Sequence, residues 1–438
     1  MIALTHVCRT WRETFISRSS LWTDIGGVDP DKAKVYLERS NPSPVNLSLR
    51  RSKDPLLDEL FFQIIPQAIQ RLKSLTISGT PQYLQDIAAH LYHPAPLLEY
   101  LLVLGRYELR GLQNDPVLTP AHFGGDLSSL RRLCLECIHT GLPWRNMANL
   151  TSFRLVRPSP ISFGQILDFF ESAPHLREVE LRFVTLTPGA KDGRLVPLAC
   201  LKKMDITGGG SASPLLEHML IPIGACLTAW ISLPNPPIED PPRFLDNLKN
   251  LPHFTTIQLD GDDSYPHMNF CGPNGEVTLI ITTSITNETC FVLESLTKFD
   301  TSRTELLTID LNDTPSSDPL YRTLLPMKDL RTLRLSFCEA PHVLIHVLHP
   351  GMNPSGVVFC PKLEELHIEY WKIPDMGEII GMAAERKSRG ARLKLVRIVS
   401  QVKSVEADML ELKKHVLHVE CGPEAGTDGG GDGSHERG

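Results

Sequence analysis

The sequence has no apolar run approaching the roughly 18 to 20 residues that a membrane-crossing helix needs, which excludes a helical membrane span. Its first residues, MIALTHVCRTWRE, hold no stretch apolar enough for a secretory signal. Runs of basic residues are missing too, and with a formal net charge of -7 a broad basic face for nucleic acid is excluded. No G-x-S-x-G or comparable setting for a nucleophile occurs, so catalysis has no evident seat and no cofactor is called for. The 10 cysteines are scattered through the chain, mostly in apolar strand contexts such as Cys134, Cys338 and Cys360. Reduced, buried thiols in a cytosolic or nuclear protein are expected from that pattern.

What is present is a recurring spacing. In PKLEELHIEYW, Leu363, Leu366 and Ile368 set out L-x-x-L-x-L. An extended chain sends alternate side chains to opposite faces, so Leu366 and Ile368 enter a core while Glu365, His367 and Glu369 face out. The same triplet stands at Leu72/Leu75/Ile77, Leu98/Leu101/Val103, Leu130/Leu133/Leu135, Leu150/Phe153/Leu155, Leu176/Val179/Leu181 and Leu201/Met204/Ile206. It continues at Phe254/Ile257/Leu259, Leu306/Ile309/Leu311, Leu330/Leu333/Leu335 and Leu393/Val396/Ile398, with a poorer copy at Leu227/Trp230/Ser232. From Leu150 to Leu176, Leu176 to Leu201 and Leu306 to Leu330 the steps are 26, 25 and 24 residues. Val277 to Thr282 fills a double step as a missing strand.

Strands of this shape recurring at roughly 20 to 29 residues are the signature of leucine-rich repeats, in which each unit is a strand plus a helix and stacking buries a continuous core. The expected fold is therefore an α/β repeat, an irregular leucine-rich-repeat-like solenoid spanning residues 51–421. Helix-then-strand order is visible in Pro55 to Leu75, Phe163 to Leu181, Pro241 to Leu259 and Pro319 to Leu335, with prolines placed where they start or end a helix. Leu186 to Leu195 and Asp260 to Glu276, rich in Gly, Pro and Asp, are expected as surface loops. Residues 422–438, GPEAGTDGGGDGSHERG after Cys421, bury too little apolar surface to order themselves.

Fragments that hint at metal or phosphate chemistry are weak. Cys134 and Cys137 form a C-x-x-C without a second pair. His342, His346 and His349 share one face of a predicted helix but lack an HExxH pattern or an acidic partner in sequence. Asp260, Asp262 and Ser264 start like a calcium loop that fails at Tyr265 and Cys271. Gly208 to Gly210 has no Lys at phosphate-loop spacing and follows a repeat strand.

The first fifty residues carry more. Ile2 to Arg18 predicts a helix with Leu4, Val7, Cys8, Trp11 and Phe15 at helical spacing. VCRTWRE followed by SLWTDI resembles the second half of an F-box, in the manner of fungal (basidiomycete-type) F-box proteins that run into a leucine-rich-repeat-like region. Asp29 to Leu49 is similar to their connector, giving residues 1–25 as a partial F-box and 26–50 as connector and first repeat-like unit. The Leu-Pro-containing first half of an F-box would precede Met1, so the start is expected to be set too far downstream or the domain to have decayed.

The resemblance implies a substrate-recognition subunit of an SCF-type ubiquitin ligase that is not itself an enzyme. Its adaptor subunit would meet Leu4, Val7, Cys8, Trp11 and Arg12. An unknown protein substrate would meet the concave strand face, of which Glu178, Glu180, Asp310, Arg334, Glu365, His367 and Glu369 are expected members. That face is read as acidic in excess and suited to a partner with a basic patch. No nucleic acid and no membrane enters this reading. The alternative is a stand-alone repeat scaffold that binds protein and keeps the F-box half only as an N-terminal cap. In that case Trp11 and Trp22 would both seal the end of the stack.

Overall fold

A strand that buries one face alternates along its length, and the computed structural model shows this for Glu365–Tyr370, where Leu366 and Ile368 are buried and Glu365, His367 and Glu369 are not. The structure describes residues 8–27, 30–51, 55–106, 117–119, 121–140, 147–187, 193–208, 212–222, 224–232, 254–261, 266–272, 275–282, 293–297, 299–311, 317–337, 342–352, 357–370, 375–400 and 406–422. It is a mixed α/β fold of parallel sheet and helices, without a closed barrel among the described residues. Two compact units are present, Met1–Ser232 and Leu233–Gly438.

In the first unit the strands of the main sheet are β1 (Asp24–Gly26), β2 (Val45–Arg50), β3 (Leu72–Gly79), β4 (Tyr100–Gly105), β5 (Arg132–Glu136), β6 (Ser152–Val156), β7 (Glu178–Arg182), β8 (Lys203–Thr207) and β9 (Cys226–Ser232). Each pairs in parallel with the next along the chain. The register lines up Leu75, Leu101, Leu133, Phe153, Val179 and Met204 in one buried row. Helix α1 (Arg9–Ser17) precedes β1; parallel neighbours require a return across the sheet, and helices α2 (Pro30–Arg39), α3 (Pro55–Ala68), α4 (Pro81–Ala88) and α5 (Phe163–Ser172) lie in such returns. Helix α5 begins where Ser162 and Gln165 form a reciprocal capping box. It buries Ile166, Leu167, Phe169 and Phe170, with the Phe169 ring 4.3 Å from that of Phe153. Each such side chain contributes about 1.5 to 3 kcal/mol by leaving water.

A turn of one hand closes successive strands. Cys137, Arg157, Phe183 and Gly208, each directly after a strand, have φ of 51°, 46°, 53° and 71°. In this conformation the Cys137, Arg157 and Phe183 N–H groups donate to the carbonyls of Val156, Arg182 and Thr207 at 2.9, 2.8 and 2.7 Å. The ladder of backbone bonds thereby runs one residue past each strand.

The second unit holds β10 (Thr256–Gly261), β11 (Pro266–Gly272), β12 (Gly275–Thr282), β13 (Leu306–Leu311), β14 (Thr332–Phe337), β15 (Glu365–Tyr370), β16 (Leu395–Ser400) and β17 (His418–Gly422). β10 pairs in parallel with β13, and β13 through β17 follow in chain order. Helices α6 (Ser317–Leu324), α7 (His342–Leu348), α8 (Met376–Ser388) and α9 (Glu406–Lys413) each pack on the next. On α8, Arg386 is fully buried and donates to the carbonyls of Phe359 at 2.8 Å and Cys360 at 2.9 Å. Arg71 does similar service in the first unit, donating to the carbonyls of Leu37 in the last turn of α2 at 3.0 Å and of Ser43 beyond it at 3.1 Å.

Several expectations need correction. The first described helix is Arg9–Ser17 rather than Ile2 to Arg18, and residues 1–7 lie outside the described set. At the expected triplet Leu306/Ile309/Leu311 the buried positions are Thr304, Leu307 and Ile309, because β13 takes the register that pairs Leu307 with Leu333. Thr304 stands where a leucine was sought, and its hydroxyl donates to the Phe254 carbonyl at 3.4 Å. At Leu227/Trp230/Ser232 the inward pair is Leu227 and Ala229, in register with Met204 and Ile206. Val277 to Thr282 is a strand, but an antiparallel one, since β10, β11 and β12 form a meander where Asp260 to Glu276 was expected as loop. Of the loop expected over Leu186 to Leu195, Leu186–Thr187 is instead a short strand paired in parallel with Ile161–Ser162; residues 188–192 of it, the helix expected before Phe254 (within 233–253) and the tail from 423 to 438 lie outside the described set.

Candidate functional site

The two tryptophans near the N-terminus have opposite environments. Trp22 is fully buried: its Nε1 donates to the Phe15 carbonyl at 2.8 Å, Tyr36 meets its ring edge-on at 5.1 Å, and the Arg39 guanidinium lies 4.5 Å above it. Trp11 is 51% exposed and touches Phe15 in a stacked pair at 5.7 Å. No residue of α1 is buried. Cys8 and Arg12 are likewise exposed, with the Cys8 sulfur accepting from the Trp11 N–H at 3.5 Å at the start of the helix. Leu4 and Val7 lie outside the described residues.

On the exposed face of the first unit's sheet, Glu178 and Glu180 are held by neighbours on their own strand and on the adjacent β6. Arg182 reaches Glu180 at 2.7 Å and Asp205 at 3.2 Å, and Arg154 reaches Glu180 at 3.3 Å. Ser152 donates to Glu178 at 3.2 Å. The acids thus lie in a chain alternating with arginines, in a recess of about 520 Å³ that also admits Arg132 and Lys203. The acidic excess read from the sequence is absent from this recess, because cations on neighbouring strands fall into register with the acids. Cys134 lines the recess, but burial pushes its thiol up to about 11, which leaves it unreactive at neutral pH.

Asp310, Arg334, Glu365, His367 and Glu369 share the exposed face of the second unit's sheet. Arg334, His367 and Arg397 stand side by side on β14, β15 and β16, as do Asp310, Ser336 and Glu369 on β13, β14 and β15. Ser336 donates to Glu369 at 3.5 Å, Thr332 donates to Glu365 at 3.4 Å, and His367 Nε2 lies 3.5 Å from Glu365. Burial holds the His367 pKa below its ordinary value, with Glu365 opposing and the two flanking arginines assisting. The face is mixed in sign rather than acidic.

Sequence reasoning passed over a further row at the mouth of the first sheet, made by the residue after the first apolar position of each triplet: Lys73, Glu99, Arg131, Thr151, Arg177 and Lys202. Its signal was in plain sight as a basic residue in the same slot of four triplets. Among the described residues no group of three or more side chains is placed to hold a metal ion. His346 on α7 has an acidic partner that the linear sequence hid, Glu378 of α8 at 3.3 Å, and His349 Nδ1 accepts from the Gly351 N–H at 3.0 Å. Gly208 serves the left-handed turn after β8, and no described helix is long and apolar enough to cross a membrane.

No protein-family model matches the chain, and no curated protein matches it.

Proposed function

We propose that this chain is the substrate-recognition subunit, of the F-box type, of an SCF ubiquitin ligase in the cytoplasm or nucleus. The α1 segment faces the adaptor, and an irregular leucine-rich-repeat-like solenoid receives the target on its exposed strand face. The observation that carries the reading is α1 itself: a helix bearing Trp11, Phe15 and Ile16 that buries none of its residues, immediately ahead of a tryptophan that is wholly buried. A helix of that composition left in water is an interaction surface rather than a cap. The solenoid is supported by the parallel pairing of strands in chain order and by their recurrence at about 25 residues. The chain does no chemistry of its own in this role; it raises the concentration of a bound target near the conjugating enzyme.

The second reading, a stand-alone protein-binding scaffold, is favoured by the fact that the nine-strand ladder is complete without any buried contribution from α1. Capture of the purified adaptor subunit by the 438-residue chain, beside a variant combining Val7→Ala and Trp11→Ala, separates the two. Capture that the substitutions abolish is the expected result. A folded chain that fails to capture the adaptor overturns the ligase reading and leaves the scaffold.

A further inference from the structure

Backbone bonds fix the order of the row at the mouth of the first sheet. The N–H groups of Glu99, Arg131, Thr151, Arg177 and Lys202 donate in turn to the carbonyls of Lys73, Glu99, Arg131, Thr151 and Arg177, at 2.9, 2.8, 2.8, 2.8 and 2.8 Å. Four of the six side chains are cationic and one is a carboxylate. That carboxylate, Glu99, is 3.9 Å from Lys73. Lys73, Arg131, Arg177 and Lys202 are all exposed. Among the described residues Arg131, Arg177 and Lys202 have no carboxylate at ion-pair distance. Just beside them on the sheet, Arg154 and Arg182 are committed to Glu180 and Asp205.

A groove of about 480 Å³ runs along this row, lined by Lys73, Arg131 and Arg177, by Pro96 and Leu97, and by the one carboxylate, Glu99. Its wall is tied by the Ser129 hydroxyl donating to the Pro96 carbonyl and the Asn149 amide to the Ser128 carbonyl, both at 2.7 Å. Strands lie about 4.8 Å apart, so Arg131 and Arg177, separated by Thr151, stand roughly 10 Å from one another. A polyproline-II segment returns every third side chain to the same face after about 9.3 Å. Cations strung in a line match carboxylates strung along a chain. A single phosphate asks instead for donors that converge on one point.

We propose that this groove docks an extended, polyproline-II-like acidic segment of a target protein, with a carboxylate at every third residue facing Arg131 and Arg177. The proposal rests on the reading of the chain as a protein receptor and narrows the class of target. In a chain of net charge -7, a row with four cations to one carboxylate steers such a segment to one place and away from the rest of the surface.

The test is fluorescence polarisation of the intact chain with a labelled peptide of four Glu-Pro-Pro repeats, against the same peptide with Gln for Glu and a Gln version carrying one phosphoserine. The Glu peptide is expected to bind, and to weaken as salt is raised. Combined Arg131→Glu and Arg177→Glu should weaken it by about tenfold or more. Lys328→Glu with Lys413→Glu, the same change of charge at exposed lysines of the second unit, should leave it unchanged. Arg131→Gln with Arg177→Gln serves if the reversed pair fails to fold. Equal binding of the Gln peptide, stronger binding of the phosphoserine peptide, no binding at all, or indifference to the arginine changes would each overturn the proposal. Adaptor capture depends on α1 and not on this groove. A chain that captures adaptor but ignores the peptide therefore overturns the groove alone, and the converse overturns the ligase reading alone.

Discussion

Arg386 donates to the Cys360 carbonyl at 2.9 Å from a side chain with no exposure, and a second bond at 2.8 Å to Phe359 ties α8 to the turn that precedes β15. Cys360 in that turn has a φ of 45°, and burial pushes its thiol up to about 12. Arg386→Met roughly keeps the volume but removes both charged donors, taking the guanidinium bond from the Phe359 carbonyl and leaving the Cys360 carbonyl with the Leu363 N–H at 2.9 Å. A loss of about 3 kcal/mol is expected from urea unfolding, since a bond from a charged donor is worth about 1.5 to 3 kcal/mol. A loss below about 1 kcal/mol would mean that the buried charge costs as much as its bonds return.

Trp22 and Trp11 should respond in opposite ways. Trp22→Ala empties a closed site and strips the Nε1 bond to Phe15, for an expected loss of about 3 to 5 kcal/mol. Trp11→Ala changes an exposed side chain, so stability should move by no more than about 0.5 kcal/mol. Thermal unfolding of the two variants reads the difference directly, and similar losses in both would contradict the environments described.

His367 makes stability sensitive to mild acid. Its folded pKa is held below the ordinary 6.5 chiefly by burial, so as pH falls through 6.5 the unfolded chain takes up a proton that the folded chain does not. The contribution is fully present above that range and is lost on acidification. Chemical denaturation at pH 7.5 and pH 5.5 should show a smaller drop for His367→Gln than for the unchanged chain. An identical drop would assign the acid sensitivity to other groups.

At Gly208 the constraint is double. Its φ is 71°, and an added Cβ would lie 2.6 Å from Cδ1 of Phe183, whose ring is covered on another side by Arg157 at 4.6 Å. The left-handed backbone alone costs a non-glycine residue about 1 to 2 kcal/mol. Gly208→Ala should therefore destabilise by more than that in the natural chain, and by about that amount in a Phe183→Ala background, where the collision is gone. Equal costs in both backgrounds would show that the ring moves aside freely.

Much of the sheet was legible because alternation and recurrence are properties of the linear chain. Leu133 and Leu135, or Leu366 and Ile368, announce a buried face wherever they are met. Thr304 and Ala229 broke the reading for a physical reason: a buried threonine with a backbone acceptor, or a small residue against close-packed neighbours, fills a core slot without being strongly apolar. The meander at β10 to β12 was hidden because strand propensity is silent about direction. The charge of the faces was hidden more deeply. Glu180 reads as a free acid until register sets Arg154 and Asp205 on either side of it, and Arg131 reads as one cation among many until the sheet lines it up with Arg177.

The pairing of each strand in the first unit with its immediate successor in the chain has a mechanical consequence. Pulling on the β1 end of such a sheet detaches one strand at a time, with the remaining pairs intact behind the break, so resistance should come as a sawtooth of small events rather than one large one. Length added to a return segment changes the slack released at each step and not the force, because the register on either side is set by the strands themselves.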